Sequence, residues 1–260
     1  MHTDWSIPKP GPGALAVWHR NLRVWRKLIG PAIVLNFGEP ALYLLGLGFG
    51  LGAFIGTLSE MPYLAFLASG IIASSAMNTA SFEGTYSVFT RMHVQRTYDA
   101  MLATPLNLDD IIAGEMLWCA TKALFSGIAI LIVATLLGVV AGPGALLVLP
   151  VVFAIGLCFA TPAMVIAALA PNYDFFNYYF VLVVTPLLIL SGVFYPVDTL
   201  PPALGITMQL FPLTHAVDLT RPLLTGQSPS APWLHIAVLL LYAGVGFHIA
   251  VVLVRRRLLV

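Results

Sequence analysis

Residues 111–141 read IIAGEMLWCATKALFSGIAILIVATLLGVVA, and this run decides the class of fold. Glu115 and Lys122 are its only charges. A helix needs about 20 apolar residues to cross the hydrocarbon core of a bilayer, and this run is longer. Five further segments have the same character: 31–57, 62–89, 145–170, 175–194 and 233–254. In lipid, unpaired backbone groups have no water to turn to, so segments of this length must be helices. Across the whole chain 59% of residues are hydrophobic and 9% charged, with mean hydropathy +0.93. A soluble domain carries about 25% charged residues, so a soluble enzyme or nucleic-acid binder is excluded. The expected fold is an all-α polytopic membrane protein forming one permease domain over 1–260.

Orientation follows from the basic residues. Lys9, Arg20, Arg23, Arg26 and Lys27 precede the first span, Arg91 and Arg96 follow the second, and Arg255, Arg256 and Arg257 follow the sixth. With six spans these ten fall on one side, and the opposite loops hold Arg221 alone. Cytoplasmic loops carry the excess of Lys and Arg, so both termini are expected in the cytoplasm. The segment 1–13 is polar and Pro-rich, unlike a signal peptide.

Three segments are not spans. Residues 14–29 (ALAVWHRNLRVWRKLI) repeat Leu15, Trp18, Leu22 and Trp25 at spacings of three and four, with cations between them. This reads as an amphipathic helix in the inner headgroup layer, either a plain anchor or part of a gate. Residues 91–110 form the longest polar stretch inside the chain. There Tyr98, Met101 and Leu102 fall at helical spacing, Thr104 and Pro105 end the helix, and Asn107 or Asp109 can cap the next one. A short helix over 95–105 with an apolar outer face suits docking into a partner's groove; otherwise it is a simple connection. Residues 196–224 hold repeated prolines between apolar pieces too short to span, and read as re-entrant half-helices or an outer cap.

Charge inside a span is costly, so Glu39, Glu83, Glu115 and Lys122 are singled out. Glu83 and Lys122 either line a polar path or pair structurally between helices. Tyr86 and Phe89, with Tyr178 and Tyr179 of the aromatic run at 172–180, are candidates for the same path. That run is an interface belt or a stacking surface for an amphipathic substrate entering from the inner leaflet. Gly46, Gly48, Gly50 and Gly52 give two G-x-x-x-G patterns, the signature of close helix packing or a dimer interface. No catalytic set stands out, no phosphate loop follows any of the three lysines, and the two cysteines, Cys119 and Cys158, sit in apolar runs unsuited to a metal site. The chain reads as a transport subunit driven by a separate motor.

The sequence also resembles a known family. FEGTYSVFTRMHVQRTYDAMLATPL (82–106), LSGVFYPVDTLP (190–201) and PLTHAVDLTRPLLTG (212–226) are similar to the membrane permease subunits of ABC type-2 exporters, within which the likeness is to permeases of lipo-oligosaccharides. The resemblance spans about 14–257. It implies a homodimer bound to two ATP-binding subunits in the inner membrane of a bacterium, with ATP and magnesium on the partner and no cofactor on this chain. It implies that Arg96, Thr97, Tyr98, Asp99, Met101, Leu102, Thr104 and Pro105 couple to the ATPase, and that the cargo is a lipid-linked glycan. Two alternatives remain open: the same machine carrying drugs or other lipids, and an ion-coupled carrier using Glu83 and Lys122.

Overall fold

The computed structural model describes residues 5–27, 29–30, 38 and 41–258. Ten helices follow in order among these: α1 (Gly13–Arg26), α2 (Ala41–Ile55), α3 (Tyr63–Val94), α4 (Thr97–Leu102), α5 (Leu108–Leu136), α6 (Pro143–Leu169), α7 (Phe175–Leu190), α8 (Pro202–Met208), α9 (Pro212–Leu224) and α10 (Pro232–Leu258). A two-residue hairpin, Thr57–Leu58 against Met61–Pro62, joins α2 to α3.

Four helices, α3, α5, α6 and α10, are long and apolar enough to cross a membrane. Helices α2 and α7 are apolar but shorter. At 1.5 Å per residue α7 is about 24 Å long, less than the ~30 Å of a bilayer core. A third of the expected span 31–57, Glu39 included, lies outside the described residues.

The core is α6, packed against α3, α5 and α10. Small residues allow these close crossings. A Cβ on Gly156 of α6 would meet the Ala120 Cα of α5 at 2.6 Å, and one on Gly84 of α3 would meet Ala163 Cβ at 2.8 Å. Large side chains on α2, α7 and α10 point outward instead, among them Phe54, Leu182 and Leu241. An apolar exterior of this extent fits lipid rather than water.

Two expectations change. Helix α3 does not end near residue 89 but continues to Val94, so Arg91 belongs to the helix rather than to the following loop. The half-helices over 196–224 are one peripheral helix, α8, and one inserted helix, α9. Most of α9 is buried against α3, α6 and α10. Each begins with proline in its first turn, where the missing N–H costs nothing. Arg221 holds α9 in place: its Nε donates to Ser69 Oγ (3.2 Å), its Nη2 donates to Gly192 O (2.8 Å), and its guanidinium lies 3.6 Å from the Phe66 ring centroid.

The two described chain ends meet at one end of the bundle. Arg255 near the end of α10 grips Asp109 at the start of α5 at 2.6 and 2.7 Å, and also donates to Ser6. Lys9 N donates to Asp109 Oδ2 at 2.8 Å. Helix α4 lies at this same end, between α3 and α5.

Candidate functional site

Four charges that the sequence scatters over two helices meet in one network inside the bundle. Arg91 Nε and Nη2 donate to the two carboxylate oxygens of Glu115 at 2.9 and 2.6 Å. Arg91 Nη1 reaches Glu83 Oε1 at 3.2 Å, and Trp118 Nε1 donates to the same oxygen at 2.9 Å. Lys122 Nζ stands 4.0 Å from Glu83 Oε2. Glu115 is wholly buried, and Asn21 of α1 donates to it at 3.1 Å. The set is charge-balanced, which is what makes it tolerable in an apolar bundle.

Local backbone geometry builds this network. Helix α3 widens into π-helical turns at Glu83–Ser87 and Thr90–Val94. Glu83 and Arg91 are eight residues apart. Eight α-helical steps of about 100° would leave them about 80° apart around the axis. Each π turn subtracts rotation and brings both to the face turned toward α5. Such turns recur at functional sites.

Helix α1 lies against α5. A Cβ on Gly114 would meet Ala14 O at 2.6 Å, so the two helices touch through backbone. Trp18 Nε1 donates to Thr121 Oγ1 at 2.9 Å, and Trp25 stacks on Phe125 at 4.6 Å. Lys122 Nζ lies 5.9 Å from the Trp25 ring. The tryptophans thus turn to the protein, while Leu15, Arg23, Val24 and Arg26 are exposed. Burial lowers the Arg20 guanidinium from its usual range, and Glu115 partly offsets this.

Helix α4 departs from expectation in its facing. Arg96 adopts left-handed φ +48°, breaking α3 from α4. Tyr98 and Met101 are buried in the bundle beside Val17, Val88 and Ile112. The apolar face is therefore inward, not outward. Arg96, Asp99, Thr104 and Pro105 are exposed, as are Ala100 and Ala103, while Thr97 and Leu102 are half-buried. Asn107 caps α5, its Oδ1 accepting from Asp110 N at 2.7 Å. Burial pushes the Tyr98 phenol well above its ordinary value, with Glu115 adding to the shift.

The aromatic candidates separate. Tyr86 and Phe89 of α3 pack edge-on to Phe176 at 4.9 and 5.4 Å, and Phe89 packs on Tyr173 at 5.0 Å. Tyr179 turns inward, 3.5 Å from Ser81 Oγ, and Tyr178 is exposed. No hydrogen bond or ring contact joins the aromatic set to Glu83 or Lys122 among the described residues. The glycines separate too. A Cβ on Gly48 would strike Leu64 of α3, and one on Gly52 would touch Tyr63 at 3.7 Å, while Gly46 and Gly50 meet nothing within 4 Å among the described residues.

Sequence reasoning missed Arg91, Asn21 and Trp118. The spacing Glu83, Ser87, Arg91 was the available signal, since i, i+4, i+8 continues the helix past residue 89. It also missed His215 and His235, buried on α9 and α10 with Nδ1 atoms 2.7 Å apart.

A multi-pass helical bundle with a balanced internal charge network and a short solvent-edged helix at one end is a membrane transport domain. Over residues 14–225 the chain matches the ABC-2 type transporter family, and it belongs to that family as a membrane permease. It is 47% identical to nodulation protein J of Rhizobium leguminosarum bv. viciae, over 98% of each chain. Nodulation protein J of Rhizobium meliloti (strain 1021) is 42% identical, over 98% of this chain and 97% of its own. The inner membrane transport permease YadH of Escherichia coli (strain K12) is 25% identical, over 84% of this chain and 82% of its own. Family membership implies an ABC ATPase as partner.

Proposed function

We propose that this chain is the permease of an ATP-driven exporter moving a lipid-linked oligosaccharide from the inner leaflet outward. It would act as a homodimer with two ATP-binding subunits, which carry the ATP and magnesium. The observation that carries the reading is the two-faced helix α4. Its exposed edge, Asp99 and Ala100, with Arg96, Thr104 and Pro105 exposed in the flanking turns, is free to meet a partner. Its buried edge, Tyr98 and Met101, is seated in the spans, so a push on one edge reaches the other. The cargo assignment rests on the resemblance of the sequence to lipo-oligosaccharide permeases, and the relatives similar over nearly the whole chain are nodulation proteins J.

The proposed topology has six crossings, with α2 and α7 completing the four long ones, and both termini in the cytoplasm. Its support is nine basic positions on the α4 side, Arg91 being taken up inside α3, against Arg221 on the other. Gly46 and Gly50, open within this chain, suit a second copy packed against α2. Glu83 and Lys122 act in this reading within a polar seam between α3 and α5, while Tyr86, Phe89 and Tyr178 meet the apolar part of the cargo at the α3–α7 edge.

The experiment is reconstitution of the chain with its ATPase in proteoliposomes. Nucleotide-dependent transfer of a labelled lipo-oligosaccharide, absent without the ATPase, is expected. ATP hydrolysis by the chain alone, or transfer driven by a proton gradient without nucleotide, would overturn the reading. Stimulation by drugs but by no glycolipid would change the cargo and leave the machine. A membrane-impermeant maleimide should label a cysteine at Gln227 but not one at Thr104 in intact cells; the reverse would reject the topology.

A further inference from the structure

We infer that Tyr98 is the positioning residue through which a displacement of α4 reaches the Glu83–Arg91–Glu115–Lys122 network, by its hydroxyl donating to Glu115 in a second state of the permease. The inference rests on reading α4 as the helix that meets the ATPase.

Three observations carry it. Tyr98 is fully buried, yet its hydroxyl has no hydrogen-bond partner among the described residues. A buried hydroxyl is ordinarily bonded, and one that is not calls for a reason. It packs in one cluster with Ile111, Ile112 and Cys119 of α5, the helix that carries Glu115, and Glu115 is the leading charge acting on it. Glu115 can receive it. Four lone-pair sites are available on a carboxylate. Arg91 uses two and Asn21 one, which leaves one on Oε1 among the described residues.

The mount of Tyr98 also suits movement. Arg96 sits in the left-handed region immediately before α4, a conformation non-glycine residues adopt at a cost. Helix α4 is only six residues long, so it turns as a unit about that joint. Asn107 caps α5 independently on the other side. A rotation of α4 that carries the phenol to the Glu115 carboxylate fills the open site on Oε1. The new bond ties α4 to the carboxylate that already holds Asn21 of α1 and Arg91 of α3, so motion at α4 is passed to both. Burial pushes the phenol's titration up from its ordinary value, which favours the protonated hydroxyl. It can therefore donate.

Tyr98→Phe tests this, since it removes the hydroxyl and keeps the ring. The variant and wild type are compared as complexes with the ATPase in proteoliposomes. Expected are an unchanged melting temperature, unchanged co-purification of the ATPase, and transport per ATP hydrolysed reduced about tenfold or more, the worth of a hydrogen bond to a charged acceptor. Wild-type transport per ATP in Tyr98→Phe would overturn the inference. So would a large fall in melting temperature, because it would show that the hydroxyl is bonded in the resting state. Tyr98→Leu, which empties part of the pocket, should by contrast lower the melting temperature. Failure of the wild-type chain to bind an ATPase would instead refute the underlying reading, and the two failures are distinct.

Discussion

Arg91→Met should be the most damaging single substitution among the charged residues. Arg91 makes three hydrogen bonds to two carboxylates, at 2.6, 2.9 and 3.2 Å. Without it Glu115, wholly buried, keeps only Asn21, and Glu83 keeps Trp118 and a lysine 4.0 Å away. Stripping one partner from a buried ion pair costs about 3–5 kcal/mol. At roughly 2–4 °C per kcal/mol for a chain of this size, the apparent Tm should fall by about 10 °C. Removing both partners is different. In Arg91→Met, Glu115→Leu the buried carboxylate is gone, and Glu83 and Lys122 still balance. Replacing a buried pair by apolar groups is often neutral or stabilising. The double variant should therefore regain most of the loss, a coupling energy of about 2–4 kcal/mol in a double-mutant cycle. The assay is thermal denaturation of the purified chain in detergent, read by monodispersity. A single variant within about 2 °C of wild type, or a double variant as unstable as the sum of the singles, would refute the network as drawn.

Gly156→Ala should cost about 1–3 kcal/mol, since its Cβ would meet Ala120 Cα at 2.6 Å, whereas Gly50→Ala, with nothing within 4 Å, should leave the melting temperature of the chain alone unchanged. If Gly50 lies in the proposed dimer contact, Gly50→Leu should yield a stable monomer by size-exclusion chromatography with light scattering; an unchanged dimer rejects that face. Arg221→Met removes two hydrogen bonds and the contact with Phe66, at a cost of about 2–3 kcal/mol, and should make a cysteine at Thr225 react faster with maleimide. His235→Ala leaves His215 Nδ1 buried without its partner and should cost about 1–3 kcal/mol; because Nε2 of His215 donates to Gln209 O, its Nδ1 is the acceptor, and His215→Leu, His235→Leu should recover stability. Equal melting of the single and double histidine variants would rule out that pairing.

The four long apolar helices were legible because length and apolarity are written locally. Expected 111–141 became Leu108–Leu136, and expected 233–254 became Pro232–Leu258. The cap at Asn107 was legible for the same reason, since a side chain three residues before a helical N–H is a local relation. The facing of α4 was not. Tyr98 and Met101 do share one side of a helix, but periodicity does not tell whether that side meets a partner or the helix's own bundle. Arg91 was misplaced because a basic residue at the end of an apolar run suggests water. Only the carboxylates of Glu115 and Glu83 make its burial affordable, and both contacts depend on π turns that sequence does not announce. The glycine stripe was half legible. Its period marked close packing, yet Gly48 and Gly52 meet α3 of the same chain while Gly46 and Gly50 do not.

The bonds at the α4 end of the bundle divide into two kinds, and the division constrains how the molecule can move. Asp109 is held by Arg255 and by Lys9 N, and Asp110 by Gly11 N, so the N-terminal strap, the start of α5 and the end of α10 form one clasp. Arg257 adds the end of α6 by donating to Ala167 O and Ala168 O at 3.2 and 2.6 Å. Multiply bonded, partly buried ion pairs of this sort resist separation. Helix α3 is outside the clasp. Its last turns are π-helical, its exit is the left-handed Arg96, and its charged contacts are with Glu115, which also holds α1. A force applied at this end therefore has a stiff assembly, α5 with α6 and α10, to act against, and a jointed one, α3 with α4, to act upon. The charge network lies on the seam between them. Two carboxylates face two cations there, so the charges balance within the seam. That is the arrangement a bundle needs if α3 is to shift against α5 without exposing an unpaired charge to the apolar interior.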